Sequence, residues 1–214
     1  MTKLYLDVLD EPRQKLWERL YTLSKYGAVL AGGTAIAMQI RHRLSEDFDL
    51  FLKGSIPAAS RREAYKIMGT MSHPGIDDGH QLTLLSLAGL KLTLVSHPYP
   101  PLHKLVKTDS LSIFSLPDLA SNKAYTIGRR GTWRDYVDLY FLLKEKIISL
   151  EQVIFEAQIR FKPEFDAKLF LQQLVYVEDL GKMDISFLRD RVSSEQIVKF
   201  MLEEARRYTK TRLV

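Results

Sequence analysis

Two aspartates one residue apart, Asp47 and Asp49 in "DFDLFL", are the side chains of this sequence best placed to do chemistry. Along a strand, side chains alternate, so both carboxylates share one face while Phe48, Leu50 and Leu52 turn the other way, into a core. Like charges side by side repel, and burying them without a partner is costly. Something positive must therefore sit between them. A basic side chain would serve. So would a hard divalent cation such as Mg²⁺ (or Mn²⁺), the natural ligand of a carboxylate pair that leaves room for substrate phosphates. Glu46 points to the opposite face and is expected to stay outside the site.

A glycine pair precedes the aspartates. Gly32 and Gly33 carry no Cβ, so a bulky anion can approach their backbone closely. They stand directly before a predicted helix, whose first free N–H groups and positive dipole end favour a phosphate. Thr34 would add a hydroxyl donor to the same turn. Neither a Gly-Gly-Thr nor a D-x-D is specific alone. Strand, Gly-Gly, helix and then a strand bearing D-x-D together describe a phosphate cradle beside a metal pair.

The elements that must hold these residues follow from periodicity. Pro12 to Lys25 reads as a helix with Leu16, Leu20 and Leu23 on its apolar face and Trp17 beside them. "AVLAGG" (Ala28 to Gly33) is a short strand ending in a tight turn. Thr34 is expected to cap a helix to about Arg43. Asp47 to Leu52 is the second strand and Ala59 to Met71 a further helix. "SHPGIDDGH" (Ser72 to His80) has the punctuation of a loop. Gln81 to Ser96 reads as two strands turning near Ala88 and Gly89. Beyond the proline-rich "HPYPPL" the character changes. Pro117 to Arg129, Thr132 to Lys144, Leu150 to Arg160, Phe165 to Val177 and Ser194 to Tyr208 are all predicted helical. The expected class is α/β (α+β): a small mixed sheet flanked by helices in residues 1–115, then a helical domain in 116–214.

Composition narrows the field. The 214 residues hold no cysteine, which excludes disulfides and cysteine-ligated metals. The net charge of +5 favours polyanionic partners. Basic residues gather in "RHR" (Arg41 to Arg43), "GRRGTWR" (Gly128 to Arg134) and "ARRYTKTR" (Ala205 to Arg212). The last reads as a solvated helix end; the first two lie beside the motifs. The five histidines show no H-E-x-x-H spacing, "GGT" lacks a P-loop lysine, and no G-x-S-x-G is present. With no apolar run of membrane-spanning or signal-peptide length, a cytoplasmic location is expected.

"LAGGTAIAMQIRHRLSEDFDLF" resembles the signature of the AbiEii/AbiGii nucleotidyltransferase toxins, within the DNA polymerase β-like nucleotidyltransferase superfamily. "PDLASNKAYTIGRRGTWRDYVDLYFLLK" (Pro117 to Lys144) is similar to that family's second block, a lysine followed about a dozen residues later by D-x-x-D on the next helix. The resemblance implies a nucleotidyltransferase fold whose C-terminal helices complete the active-site cleft. It also implies roles. Gly32 and Gly33 would contact the triphosphate of an incoming NTP, and Asp47 and Asp49 would hold Mg²⁺. Lys123 would contact phosphate or position the nucleotide, and Asp135 would belong to the catalytic cleft. Asp135 and Asp138, three apart on a helix, share a face, and only one of them needs to reach the site; the plain alternative for both, and for Lys123, is a helix–helix salt bridge. Arg129, Arg130 and Arg134 would neutralise triphosphate or acceptor backbone. The resemblance further implies a toxin of a toxin–antitoxin or phage-defence pair, with RNA such as the tRNA acceptor end as substrate and a cognate antitoxin as partner.

One departure bears on activity. Members of this superfamily usually carry a third carboxylate on the strand after D-x-D, and here that position holds Thr93. A threonine is no general base and a poor Mg²⁺ ligand. Asp77 and Asp78 in the preceding segment are substitutes to consider. The alternative to an enzyme is a catalytically degenerate module that binds nucleotide or a partner on the same fold.

Overall fold

Local chemistry starts the helices. Asp10 caps α1 (Glu11–Arg19), its carboxylate accepting from the Arg13 N–H at 3.0 Å, with Pro12 in the first turn. Ser149 caps α6 (Leu150–Arg160) in the same way. The computed structural model describes residues 3–69, 71–177, 180, 184–189 and 191–210, with 71–74 described by backbone alone. The chain divides into two compact units, Met1–Ser115 and Leu116–Val214.

In the first unit β1 (Val29–Ala31), α2 (Gly32–Ile40), β2 (Asp47–Leu52), α3 (Ala58–Met68), β3 (Met71–Asp77), β4 (Gln81–Ser86) and β5 (Lys91–Ser96) follow α1. Their strands form one mixed sheet in the order β1-β2-β5-β4-β3. The pair β2–β5 is parallel and the other neighbours are antiparallel. The alternation expected of "DFDLFL" holds: Phe48, Leu50 and Leu52 are buried while Asp47, Asp49 and Phe51 are half-buried. Trp17 of α1 stacks on Phe48 at 6.3 Å, so the apolar face of β2 is covered from the first helix. The segment after β5 returns beside β1, where Leu30 donates to Ser112 O and Phe114 donates to Leu30 O.

Three local expectations are corrected. The helix read over Pro12 to Lys25 ends at Arg19 and continues as a 3-10 stretch, Leu20–Tyr26. The Thr22 and Ser24 hydroxyls bond back to Arg19 O and Tyr21 O, three residues behind, which suits the tighter winding. "SHPGIDDGH", read as a loop, supplies most of edge strand β3, whose register with β4 breaks twice. Proline is tolerated there because an edge strand leaves one side unpaired and a bulge absorbs the rest. Finally, α2 begins at Gly32, so Thr34 lies inside the helix instead of capping it.

In the second unit α4 (Leu116–Arg130) packs against α5 (Trp133–Lys144), α6 and α7 (Ala167–Val175), while α8 (Ser194–Lys210) packs on α5, α6 and α7. α7 starts later than read from the sequence because Asp166 caps it, accepting from Lys168 and Leu169 N–H. Buried Arg160 ties α6 to α4, donating to Asp118 O and Ser121 Oγ, both at 2.7 Å. Tyr136 of α5 donates to Gln173 O of α7 at 2.6 Å. No helix among the described residues is long and apolar enough to cross a membrane.

Candidate active site

Gly32 is the hinge between β1 and α2, and its φ of +68° is one that L side chains adopt reluctantly. A Cβ added there would lie 2.5 Å from Asp49 Oδ2. The Asp49 carboxylate therefore rests on bare backbone at the N-terminal end of α2, where the helix dipole favours negative charge. The register explains the approach, since Ala31 pairs with Asp49 across β1 and β2. Asp47 sits two residues earlier on the same face. Gly33 follows in the first turn of α2, half-buried.

The Thr34 hydroxyl is committed to the fold. It is buried, 2.7 Å from Ser45 Oγ, and makes a short bond to the carbonyl oxygen of Asp47. Its contribution is to pin the start of β2 against α2, so that the carboxylates are aimed from a fixed backbone.

Sequence reasoning left open what neutralises the aspartates. Lys91 of β5 stands in register with Asp47 and places Nζ 3.2 Å from Asp47 Oδ2. The two side chains are 38% and 33% exposed, so the pair is worth about 0–1 kcal/mol. That is too weak to be a structural anchor. In the same register Thr93 faces Asp49, and Thr83 of β4 faces Thr93. The row running out from Asp49 across the sheet is thus a carboxylate followed by two nearly buried threonines.

The donor set fits a hard divalent cation. Asp47 and Asp49 offer carboxylate oxygens on one half-open face. Among the described residues no group of three or more His, Cys, Asp or Glu is placed to hold a metal ion by itself. Two carboxylates with water and substrate phosphate filling the other positions is the usual way Mg²⁺ is held.

In the second unit, Lys123 of α4 bridges two carboxylates of α5. Its Nζ lies 2.8 Å from Asp135 Oδ1 and 2.7 Å from Asp138 Oδ2. Burial alone would depress the ammonium, but the two carboxylates together outweigh it and hold the Lys123 pKa well above its ordinary value. Asp135 also serves the backbone: its Oδ2 accepts from the Thr132 N–H and hydroxyl at 2.8 and 2.9 Å, closing a capping box at the start of α5. Asp138 is fully buried. Unlike the Lys91 pair, this one is enclosed. Removing the lysine would strand two buried charges, at a cost of about 3–5 kcal/mol.

The remaining candidates divide. Arg130 is exposed at the end of α4. Arg129 is bound to Glu164 at 2.9 Å and lies over the Tyr125 ring. Of "RHR", Arg41 is paired to Asp7 and closes α2 in a left-handed conformation, while His42 and Arg43 are buried, so the stretch makes no basic face. Asp77 is paired with Arg61 and accepts from Tyr65. Asp78 accepts from the His80 and Gln81 N–H groups, which depress its pKa and fix the β3–β4 turn.

Comparison with known proteins shows the family and the fold. Residues 18–80 match the family described as "Nucleotidyl transferase AbiEii toxin, Type IV TA system", a segment containing Gly32, Gly33, Asp47 and Asp49. An uncharacterized protein of Aquifex aeolicus (strain VF5) is 30% identical over 152 residues, 70% of this chain and 73% of the relative. MenT4, a nucleotidyltransferase toxin of Mycobacterium tuberculosis H37Rv, superposes with a TM-score of 0.60 at 14% identity, covering 91% of this chain and 82% of its own. An H. pylori protein whose nucleotidyltransferase assignment is itself provisional superposes with a TM-score of 0.57 at 17% identity, covering 93% of both chains. At such identities the superpositions speak for the fold: a mixed five-stranded sheet with flanking helices and a helical C-terminal region. The matched segment lies on the strand–helix–strand unit that seats Asp49 against Gly32, and the alignment extends over most of one relative; this chain belongs to the AbiEii family of nucleotidyltransferase toxins.

Proposed function

We propose that this chain transfers a nucleoside monophosphate from an NTP to an acceptor hydroxyl, with Mg²⁺ (or Mn²⁺) held by Asp47 and Asp49. The observation that carries the reading is the seat of Asp49 on the bare backbone of Gly32, with Asp47 beside it on the same face. In the reaction the acceptor oxygen attacks the α-phosphorus. The bond from that phosphorus to the bridging oxygen breaks, pyrophosphate leaves, and the hydroxyl proton passes to solvent. The metal, when bound, supplies charge neutralisation at the triphosphate and acidifies the attacking hydroxyl.

The protein's own part is positioning. Gly32 makes room for the Asp49 carboxylate, and the first N–H groups of α2, at Gly32 and Gly33, are proposed to receive a phosphate beside it. The rigid β2 backbone, pinned by Thr34, holds the carboxylates at fixed spacing. Chemistry of this type depends mostly on placement and fixed charge. Lys123 and Asp135 belong to the proposed catalytic set as a preformed, buried charged unit. Arg130 is proposed to meet the phosphates of nucleotide or acceptor. RNA such as the tRNA acceptor end is the proposed acceptor, and a cognate antitoxin the proposed partner.

A second reading has a specific observation behind it. Thr93 faces Asp49 where a third carboxylate would stand, which favours a nucleotide-binding module without turnover. The test is incubation with total tRNA, Mg²⁺ and each α-labelled NTP, beside Asp49→Ala. Label on RNA that vanishes in the variant supports transfer and names the nucleotide. No label from protein that still binds Mg²⁺ and NTP favours the binding module.

A further inference from the structure

Lys91 is the one basic side chain of the β5 face for which the proposed reaction has given no role. Its ammonium meets Asp47 Oδ2 at 3.2 Å, yet the pair is a third exposed and too weak to be structural. The charges explain what it does. The carboxylates of Asp47 and Asp49 repel a triphosphate, and the Lys91 ammonium offsets one unit of that charge. A divalent cation on the carboxylates would offset two units more. With Lys91 kept beside it, the loaded site is one positive charge richer than it would be without the lysine.

Resting on the metal–carboxylate reading above, we infer that Lys91 is a phosphate-binding residue of the nucleotide site and that Asp47 holds it as a resident counter-ion until metal arrives. The metal and Lys91 compete for the same oxygen. A bound divalent cation displaces the ammonium, and a long flexible lysine stem then presents three N–H donors to a phosphate oxygen. Metal binding in this way frees a phosphate ligand at the site.

The consequence is a pair of opposite effects in one variant. Mn²⁺ is titrated into the full chain without nucleotide and the free ion is followed by electron paramagnetic resonance. Each of the four α,β-methylene nucleoside triphosphates is then titrated calorimetrically in saturating Mn²⁺. Lys91→Met is expected to bind Mn²⁺ roughly twofold to fivefold more tightly, having lost the competitor. It is expected to bind the metal–nucleotide about tenfold more weakly, having lost a charged donor. Lys91→Arg should restore nucleotide affinity. A merely structural lysine would move both affinities the same way or neither. Unchanged or weaker Mn²⁺ binding by Lys91→Met, or undiminished nucleotide binding, overturns the inference. Asp49→Asn separates the two failures. If it leaves Mn²⁺ affinity at the wild-type value, the metal–carboxylate reading has failed and the role of Lys91 falls with it.

Discussion

Replacing Gly32 by alanine asks two things of the fold at once. The side chain must accept a φ of +68°, and its Cβ must find room 2.5 Å from Asp49 Oδ2. The first costs about 1–2 kcal/mol. The second can be relieved only by moving the carboxylate. Gly27 separates these costs, because it has a φ of +76° and nothing lies within 4 Å of where its Cβ would stand. Gly27→Ala is expected to lower the urea midpoint while leaving Mn²⁺ affinity intact. Gly32→Ala is expected to lose at least as much stability and to weaken Mn²⁺ binding as well. Wild-type Mn²⁺ affinity in Gly32→Ala would show that the contact with Asp49 is idle. At this scale the aspartate pair was legible from alternation alone, but Lys91 was not singled out. Its signal was present: if Thr93 faces Asp49 across parallel strands, the residue two before Thr93 faces Asp47. Reading it required trusting a strand pairing that no local pattern announces.

At the scale of elements, the second unit is organised around charge that α4 and α5 share. Lys123 holds its proton more tightly in the fold than outside it, because Asp135 and Asp138 outweigh its burial. Tyr136, next along α5, is pushed up to about 12 by burial and by Asp135, and burial also raises Tyr140. In every case the folded state binds the proton more strongly. Stability from these groups is therefore complete below their ordinary values, near pH 10, and is lost as pH rises through the folded values. Urea unfolding is expected to give a level stability from pH 7 to 9 and a steep decline beyond about pH 10. Tyr136→Phe should make that decline shallower while lowering the plateau through loss of the bond to Gln173. A decline just as steep would mean that Tyr136 titrates normally. Helices here were readable because caps and apolar spacing are local: Leu150 to Arg160 appears with the expected bounds. β3 was not, since Pro74, Gly75 and Gly79 are breakers in isolation and only pairing with β4 makes Met71–Asp77 a strand. The end of α1 was hidden for the opposite reason, the apolar spacing running on smoothly while Thr22 and Ser24 tightened the winding.

For the whole molecule, a net charge of +5 says less about nucleic acid than where the cations are. Each phosphate neutralised by a basic side chain releases counterions, so RNA affinity falls with salt in proportion to the number of such contacts. The structure divides the basic residues sharply. Arg43 is buried, and Arg41, half-exposed, must first leave Asp7 to meet a surface phosphate. Arg129 is held by Glu164 and the Tyr125 ring, whereas Arg130, beside it, is exposed. If the acceptor is RNA, Arg130→Ala should reduce the slope of log affinity against log salt for tRNA by about 0.7–0.9. Arg129→Ala should reduce it by less, because the arginine must first leave Glu164. Filter binding of tRNA across a salt series reads both slopes. Equal slopes for wild type and Arg130→Ala would remove Arg130 from the acceptor surface, and a near-flat wild-type slope would turn the search toward acceptors without a phosphate backbone.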